Sequence, residues 1–166
     1  KVPMQSAEEQ VREARRAELT EIMEVAADWY AAELYAPENR AALDYLYSRG
    51  LDDKIIAAFR LGFSVEGGGQ LLQSIESRII KIPGIKKVDV AQLLELGLLR
   101  AANEDRAPYP FFRNRIMYPI TNRRGQVVAF GGRFMGDAKV AKYINSPDTL
   151  LFDKSRTLYN LTDARR

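Results

Sequence analysis

The chain has 166 residues, is 46% hydrophobic and 28% charged, a balance ordinary for a globular protein with a buried core, and no apolar run approaches the roughly 18 residues of a membrane span. It contains no cysteine and no histidine, which excludes disulfides, thiol nucleophiles, histidine acid–base chemistry and zinc held by its usual ligands. The formal charge of +3 is unevenly spread, with 6 Lys and Arg against 12 Asp and Glu in residues 1–53 but 9 against 3 in residues 100–142, a polarity that suits a polyanion-binding surface at the basic end.

Residues 6–36 lack Gly and Pro and are rich in Ala, Glu and Arg, with Val11, Leu19, Ile22, Met23, Ala26, Trp29 and Tyr30 near helical spacing. A long helix is expected there, with Ser6 and Glu9 spaced as a capping box and Pro37 as its stop. A second helix is expected over 37–49, with Leu43, Leu46 and Tyr47 on one stripe and Gly50 closing it. A third begins at Asp52 or Asp53 and holds Ile55, Ile56 and Phe59. "LGFSVEGGGQ" interrupts the pattern, with a glycine loop at 67–69 before a helix over 71–80. Pro83 and Gly84 follow, then a helix over 88–96 that ends at Gly97. From Leu98 the pattern turns to strands at 113–120, 126–134 and 142–145, the first two joined by a hairpin loop at 122–125. Leu158, Tyr159 and Leu161 begin one more helix. The expected fold class is α+β, a mainly helical lobe (1–97) packed with a small mixed β lobe (98–166).

A two-metal phosphoryl-transfer site needs converging carboxylates, and the chain has no Asp-x-Asp. Its adjacent acidic pairs, Glu8–Glu9, Asp52–Asp53 and Glu104–Asp105, diverge on a helix or strand. Glu66 reads as a solvated loop residue. The three glycines after it lack the Gly-Lys-Ser/Thr ending of a phosphate loop and follow no clear buried strand.

The hairpin "RIMYPITNRRGQVVAFGGR" is different. Alternation sends Arg113, Arg115 and Met117 to one face and Ile116, Tyr118 and Ile120 to the other. Gly131 and Gly132 leave room for a close-approaching backbone phosphate that Arg133 could meet. In "KYINSP", Lys142 can neutralise a phosphate, Tyr143 can stack on a base and Asn145 can hydrogen-bond a sugar or base edge, which is single-strand binding chemistry. The alternative is structural: edge-strand cations, a core tyrosine and an Asn-Ser-Pro turn. Chemistry alone leaves both open. Arg123 and Arg124, at the hairpin tip, read as solubilising charge.

The segments "YLYSRGLDDKIIAAFRLGF", "FFRNRIMYPITNRRGQVVAFGGRF", "AKYINSPDTLLFDKS" and "LYNLTDAR" closely resemble bacterial replicative DNA primases of the DnaG type over residues 42–165. One departure is Ala141, where many relatives have Pro. The resemblance implies the N-terminal basic lobe of a DNA-dependent RNA polymerase core, one that makes short RNA primers for replication. It further implies that a zinc-binding domain, a metal-binding Toprim lobe and a helicase-binding domain lie outside this chain, so Mg²⁺ and Zn²⁺ would be held elsewhere. Residues matching Arg49, Arg113, Arg115, Arg133, Lys142, Tyr143 and Asn145 are implied to contact single-stranded template DNA, the RNA:DNA hybrid and incoming ribonucleoside triphosphates. Arg49 can do so only if the helical lobe folds back on the hairpin; otherwise it is a helix C-terminal cation. The replicative helicase is implied as a partner through an absent domain, with no membrane partner and a bacterial cytoplasmic location. The start at Lys1 rather than Met, with no leader-like segment, suits a fragment of a longer cytoplasmic polypeptide. Competing readings are a nonenzymatic single-strand-binding module and a protein-interaction domain that uses the acidic helix. A primase–helicase fusion would share the same basic lobe.

Overall fold

A computed structural model of the chain describes residues 6–67, 70–84, 87–137 and 139–155. Ser6 Oγ accepts a hydrogen bond from the Glu9 N–H at 3.1 Å and starts α1, Ala7–Leu34, satisfying one of the donors a helix leaves open at its N-terminus. The expected apolar stripe begins late. Val11 is 68% exposed, whereas Leu19, Ile22, Met23, Ala26, Trp29 and Tyr30 are buried, so only the second part of α1 packs on the protein. Among the described residues no helix is long and apolar enough to cross a membrane.

Pro37 opens a 3₁₀ turn, Pro37–Asn39, that leads into α2, Arg40–Ser48. Gly50, at φ +86°, ends it, as a residue without Cβ can. Asp52 caps α3, Asp53–Ala58, by accepting from the Ile55 N–H at 2.9 Å. The next segment corrects the sequence expectation: Gly62–Ser64 is a fully buried strand, β1, paired antiparallel with the hairpin. Three residues are too few for alternation to reveal. Its Gly62 is a packing requirement, since a Cβ there would lie 2.6 Å from the Tyr30 carbonyl carbon of α1.

Two further helices, α4 (Leu71–Ile79) and α5 (Val90–Glu95), follow, the second opened by a reciprocal Asp89–Gln92 capping box. A two-stranded ladder, β2 (Leu99–Arg100) with β3 (Tyr109–Pro110), was not marked by any sequence pattern. The hairpin is β4 (Arg115–Thr121) and β5 (Val127–Phe134), and the last strand is β6 (Tyr143–Asn145). The main sheet runs β1-β4-β5-β6 with every pair antiparallel, so the α+β class holds while the mixed pairing is corrected to antiparallel. The helix expected from Leu158 lies outside the described residues, as do Gly68 and Gly69 of the glycine loop.

One sheet face lies on the main core, where Leu19, Ile22, Met23, Tyr30, Leu71, Ile75 and Leu93 meet Phe112, Met117 and Phe130. Tyr30 and Phe112 both meet the Phe130 ring edge-on, with centroids 5.2 and 6.4 Å away. On the other face Leu34, Leu43, Leu46 and Ile56 gather around Phe63 and Ile116, and Ala129 packs with Phe152 further along. Full burial of each large aliphatic side chain stabilises by about 1.5–3 kcal/mol. The helical and strand-rich parts therefore pack on shared cores, as the expected fold class has it.

Candidate nucleic-acid interface

Residues directly opposite each other in an antiparallel ladder point to the same face. Arg133 pairs with Ile116 on one side and Tyr143 on the other, and Gly131 pairs with Tyr118 and Asn145. Arg133, Tyr143, Tyr118 and Asn145 thus share the face that α2 covers at one end and Phe152 at the other. Between these covers the face is open: Tyr143 and Asn145 are exposed, as is Lys142 just before the strand, Tyr143 by 63%. That removes the core reading of Tyr143. The Lys142 Nζ stands 6.0 Å from the centroid of the neighbouring Tyr143 ring.

What holds this edge in place is Ser146, fully buried. Its Oγ accepts from the Phe130 N–H at 2.9 Å while its own N–H donates to the Phe130 carbonyl at 2.8 Å. Pro147 then fills the space at Gly97, whose φ is +72° and where a Cβ would lie 2.6 Å from the proline Cδ. The Asn-Ser-Pro run is therefore an anchor that continues the pairing of β6 and displays Asn145.

Arg113 and Arg115 do not share an open face. Asn114 has φ +52°, which breaks the alternation, and β4 begins only at Arg115. Arg113 is exposed on the preceding loop, its guanidinium 5.2 Å from the Tyr109 ring centroid. Arg115 is 6% exposed. Its Nη1 donates to the Gly132 and Lys142 carbonyls, both at 3.2 Å, and its guanidinium lies 5.3 Å from the Phe134 ring centroid. Burial away from water pulls its ionisation below the usual arginine value. The glycines are also reassigned. A Cβ on Gly132 would lie 2.7 Å from Phe112 Cδ1 and 3.0 Å from Arg115 Cδ, so the missing side chain makes room for the protein's own core, and a Cβ on Gly131 would lie 3.0 Å from Asn145 Oδ1.

Arg133 is half-buried. Its Nη1 donates to the Phe134 carbonyl at 3.0 Å and approaches Met135 Sδ at 3.6 Å; Nε is buried without a partner. Its guanidinium sits 4.3 Å from the centroid of Tyr45. Arg49, the residue that ends α2, is exposed and one turn beyond Tyr45, hence on the same side of the helix. The Tyr118 hydroxyl registers this arrangement: burial pushes its ionisation up, Tyr45 and Tyr143 add to that, and Arg133 and Arg49 oppose it. The helical part does fold back, bringing Arg49 within electrostatic reach of the open face. Tyr45, Arg133 and Lys142 line one cleft of about 450 Å³ with Met135, Gly136, Asp137 and Val140. Tyr45, Tyr118 and Ser146 had no part in the site expected from sequence, although the four-residue spacing of Tyr45 and Arg49 was a usable sign.

The ion pairs formed among the described residues join Arg15 to Glu95, Arg40 to Asp44, and Arg60 to Glu24 and Asp28. Among those residues, Arg49, Arg113, Arg115, Arg133 and Lys142 have no carboxylate at ion-pair distance. Of the acidic helix α1, Glu24 and Asp28 are paired with Arg60, and the cations around the open face have no such partner among the described residues.

Comparison with known proteins places this geometry in a family. The family model described as DNA primase catalytic core, N-terminal domain, matches residues 29–165. The DNA primase of Deinococcus radiodurans is 42% identical over 148 residues, covering 89% of this chain and 24% of that protein. A solved DnaG primase catalytic domain bound to single-stranded DNA has a TM-score of 0.70 at 35% identity, covering 86% of this chain and 41% of that one. The RNA polymerase domain of Mycobacterium tuberculosis primase DnaG gives 0.71 at 33%, covering 84% and 43%. The chain spans about a quarter of its curated relative and about two fifths of the solved chains. The family model, the sequence identity and the fold likeness agree, and the chain belongs to the bacterial DnaG-type primases, as the N-terminal domain of their catalytic core.

Proposed function

We propose that this domain is the template- and nucleotide-holding part of a DNA-dependent RNA polymerase that makes short RNA primers for replication in the bacterial cytoplasm. The observation that carries this reading is the open face on which Arg133, Tyr143 and Asn145 stand together, with Lys142 lining the adjoining cleft beside Arg133, neither of the two cations having a carboxylate at ion-pair distance among the described residues. The solved relative bound to single-stranded DNA supports the choice of ligand.

Tyr143 stacks on a base and Asn145 bonds a sugar or base edge. Arg133 and Lys142 neutralise backbone or triphosphate oxygens, and Arg49 and Arg113 take flanking phosphates of the template or hybrid. Arg115 acts from beneath, fixing the Lys142 carbonyl. Primer extension is attack of a 3′-hydroxyl on an α-phosphate, and this domain contributes alignment and charge neutralisation. Among the described residues no group of three or more His, Cys, Asp or Glu could hold a metal ion. In this proposal Mg²⁺ and Zn²⁺, and the contact with the replicative helicase, belong to domains outside the chain.

The test is single-stranded DNA binding by the full-length protein over a salt series. Arg133→Ala and Lys142→Ala should each flatten the log–log salt dependence by about 0.7, and Tyr143→Ala should weaken binding by about 1–3 kcal/mol with the slope unchanged. Three variants that bind like the parent would refute the site. Binding losses without any loss of primer synthesis would instead favour a nonenzymatic single-strand-binding role.

A further inference from the structure

Arg133 leaves the sheet on a long side chain whose plane its hydrogen bonds do not fix. Only Nη1 is anchored, to the carbonyl of the next residue and to a methionine sulfur, and Nε is buried without an acceptor. What faces the guanidinium is the Tyr45 ring at 4.3 Å. The other cation–aromatic approaches among the described residues run from 5.2 to 6.0 Å.

Tyr45 is itself held rigidly. Its carbonyl accepts from Ser48 Oγ at 2.6 Å and from the Arg49 N–H at 3.1 Å, and its side chain packs against the cluster of Leu43, Leu46 and Ile116. Its hydroxyl makes no hydrogen bond with another described residue, which leaves the ring face as the working part. A planar guanidinium on an aromatic face keeps its charge while losing rotational freedom.

We infer that Tyr45 is a positioning residue, holding the Arg133 guanidinium in the plane in which it meets a phosphate of the bound strand. This rests on the reading of the open face as a polyanion site. It makes the last turn of α2 part of the binding apparatus although Tyr45 itself need not touch the strand.

The experiment is a double-mutant cycle on the full-length protein, read as single-stranded DNA affinity and salt dependence, with circular dichroism on each variant. Tyr45→Leu should weaken binding about fivefold, the factor matching a cation–aromatic contact of ordinary strength, and Arg133→Ala at least as much, because it also removes the phosphate contact. The double variant should bind no worse than Arg133→Ala, and Tyr45→Phe should stay within about twofold of the parent because the ring remains. If Arg133→Ala binds like the parent, the reading of the face fails and the inference falls with it. If Arg133→Ala weakens binding but Tyr45→Leu does not, or if the two losses add, the inference alone is overturned. Should Tyr45→Leu not fold, Arg133→Lys decides: a lysine keeps the charge but has no plane to stack, so a loss of about fivefold supports the inference and parental binding overturns it.

Discussion

Replacing Arg115 with leucine separates a fastening role from a ligand role. The guanidinium makes two charged hydrogen bonds, to the Gly132 and Lys142 carbonyls, each worth about 1.5–3 kcal/mol net. Leucine keeps part of the packing against Phe134 and removes the cost of burying a charge, which offsets part of that loss. The Lys142 carbonyl also keeps its 2.8 Å bond from the Phe134 N–H. The net destabilisation should be about 2–3 kcal/mol, which for a domain of this size lowers the melting temperature by about 5–10 °C. Since Arg115 as a residue is 6% exposed, it should release no counterion from a bound strand, and the salt slope of single-stranded DNA binding should match the parent when measured well below the melting transition. Thermal unfolding and anisotropy titrations on the same preparations read the two effects. A flattened slope with an unchanged melting temperature would falsify the fastening role and return Arg115 to the ligands.

Two glycines should differ in cost. Gly62→Ala drives a Cβ against helix backbone at Tyr30, 2.6 Å away, and nothing nearby can yield; about 3 kcal/mol or more is expected from denaturant unfolding. Gly132→Ala meets the side chains of Phe112 and Arg115, which can shift, so about 1–2 kcal/mol is expected; equal costs would contradict this ranking. Partial burial, then the hydrogen bond to Asp53, pushes the Tyr35 hydroxyl up to about 12. A raised tyrosine favours the protonated folded form, so its contribution to stability is complete below the ordinary value near 10 and lost as pH rises through about 12. Hydrogen bonds from Tyr47 and Tyr35 hold the Asp53 carboxyl low, so its contribution is present above the ordinary carboxylate range and lost as pH falls through the lowered value. Asp53→Asn should move the Tyr35 absorbance titration back toward 10, with Tyr35→Phe identifying the component that moves; an unmoved titration would leave Asp53 without a part in the shift.

Sequence by itself determined the local elements with strong patterns. Helix α1 with its Ser6 cap, α2 stopped by Gly50, α3 capped by Asp52, and the hairpin around the 122–125 loop all follow from interactions within a few residues, where propensity and capping operate without long-range help. The α+β class and the family resemblance were legible for the same reason, as were the residues of "KYINSP" as a group. Tertiary structure decided which side each residue faces. A single positive φ at Asn114 separates Arg113 from Arg115, and β1, too short to show alternation, becomes a strand only because β4 is beside it and Tyr30 lies above Gly62. Likewise the two hairpin glycines fit around Asn145, Phe112 and Arg115, and α2 comes to rest with Tyr45 on Arg133, because packing joins residues far apart in the chain. Spacing along the sequence cannot encode those distances, since they arise only when the faces it patterns close on one another.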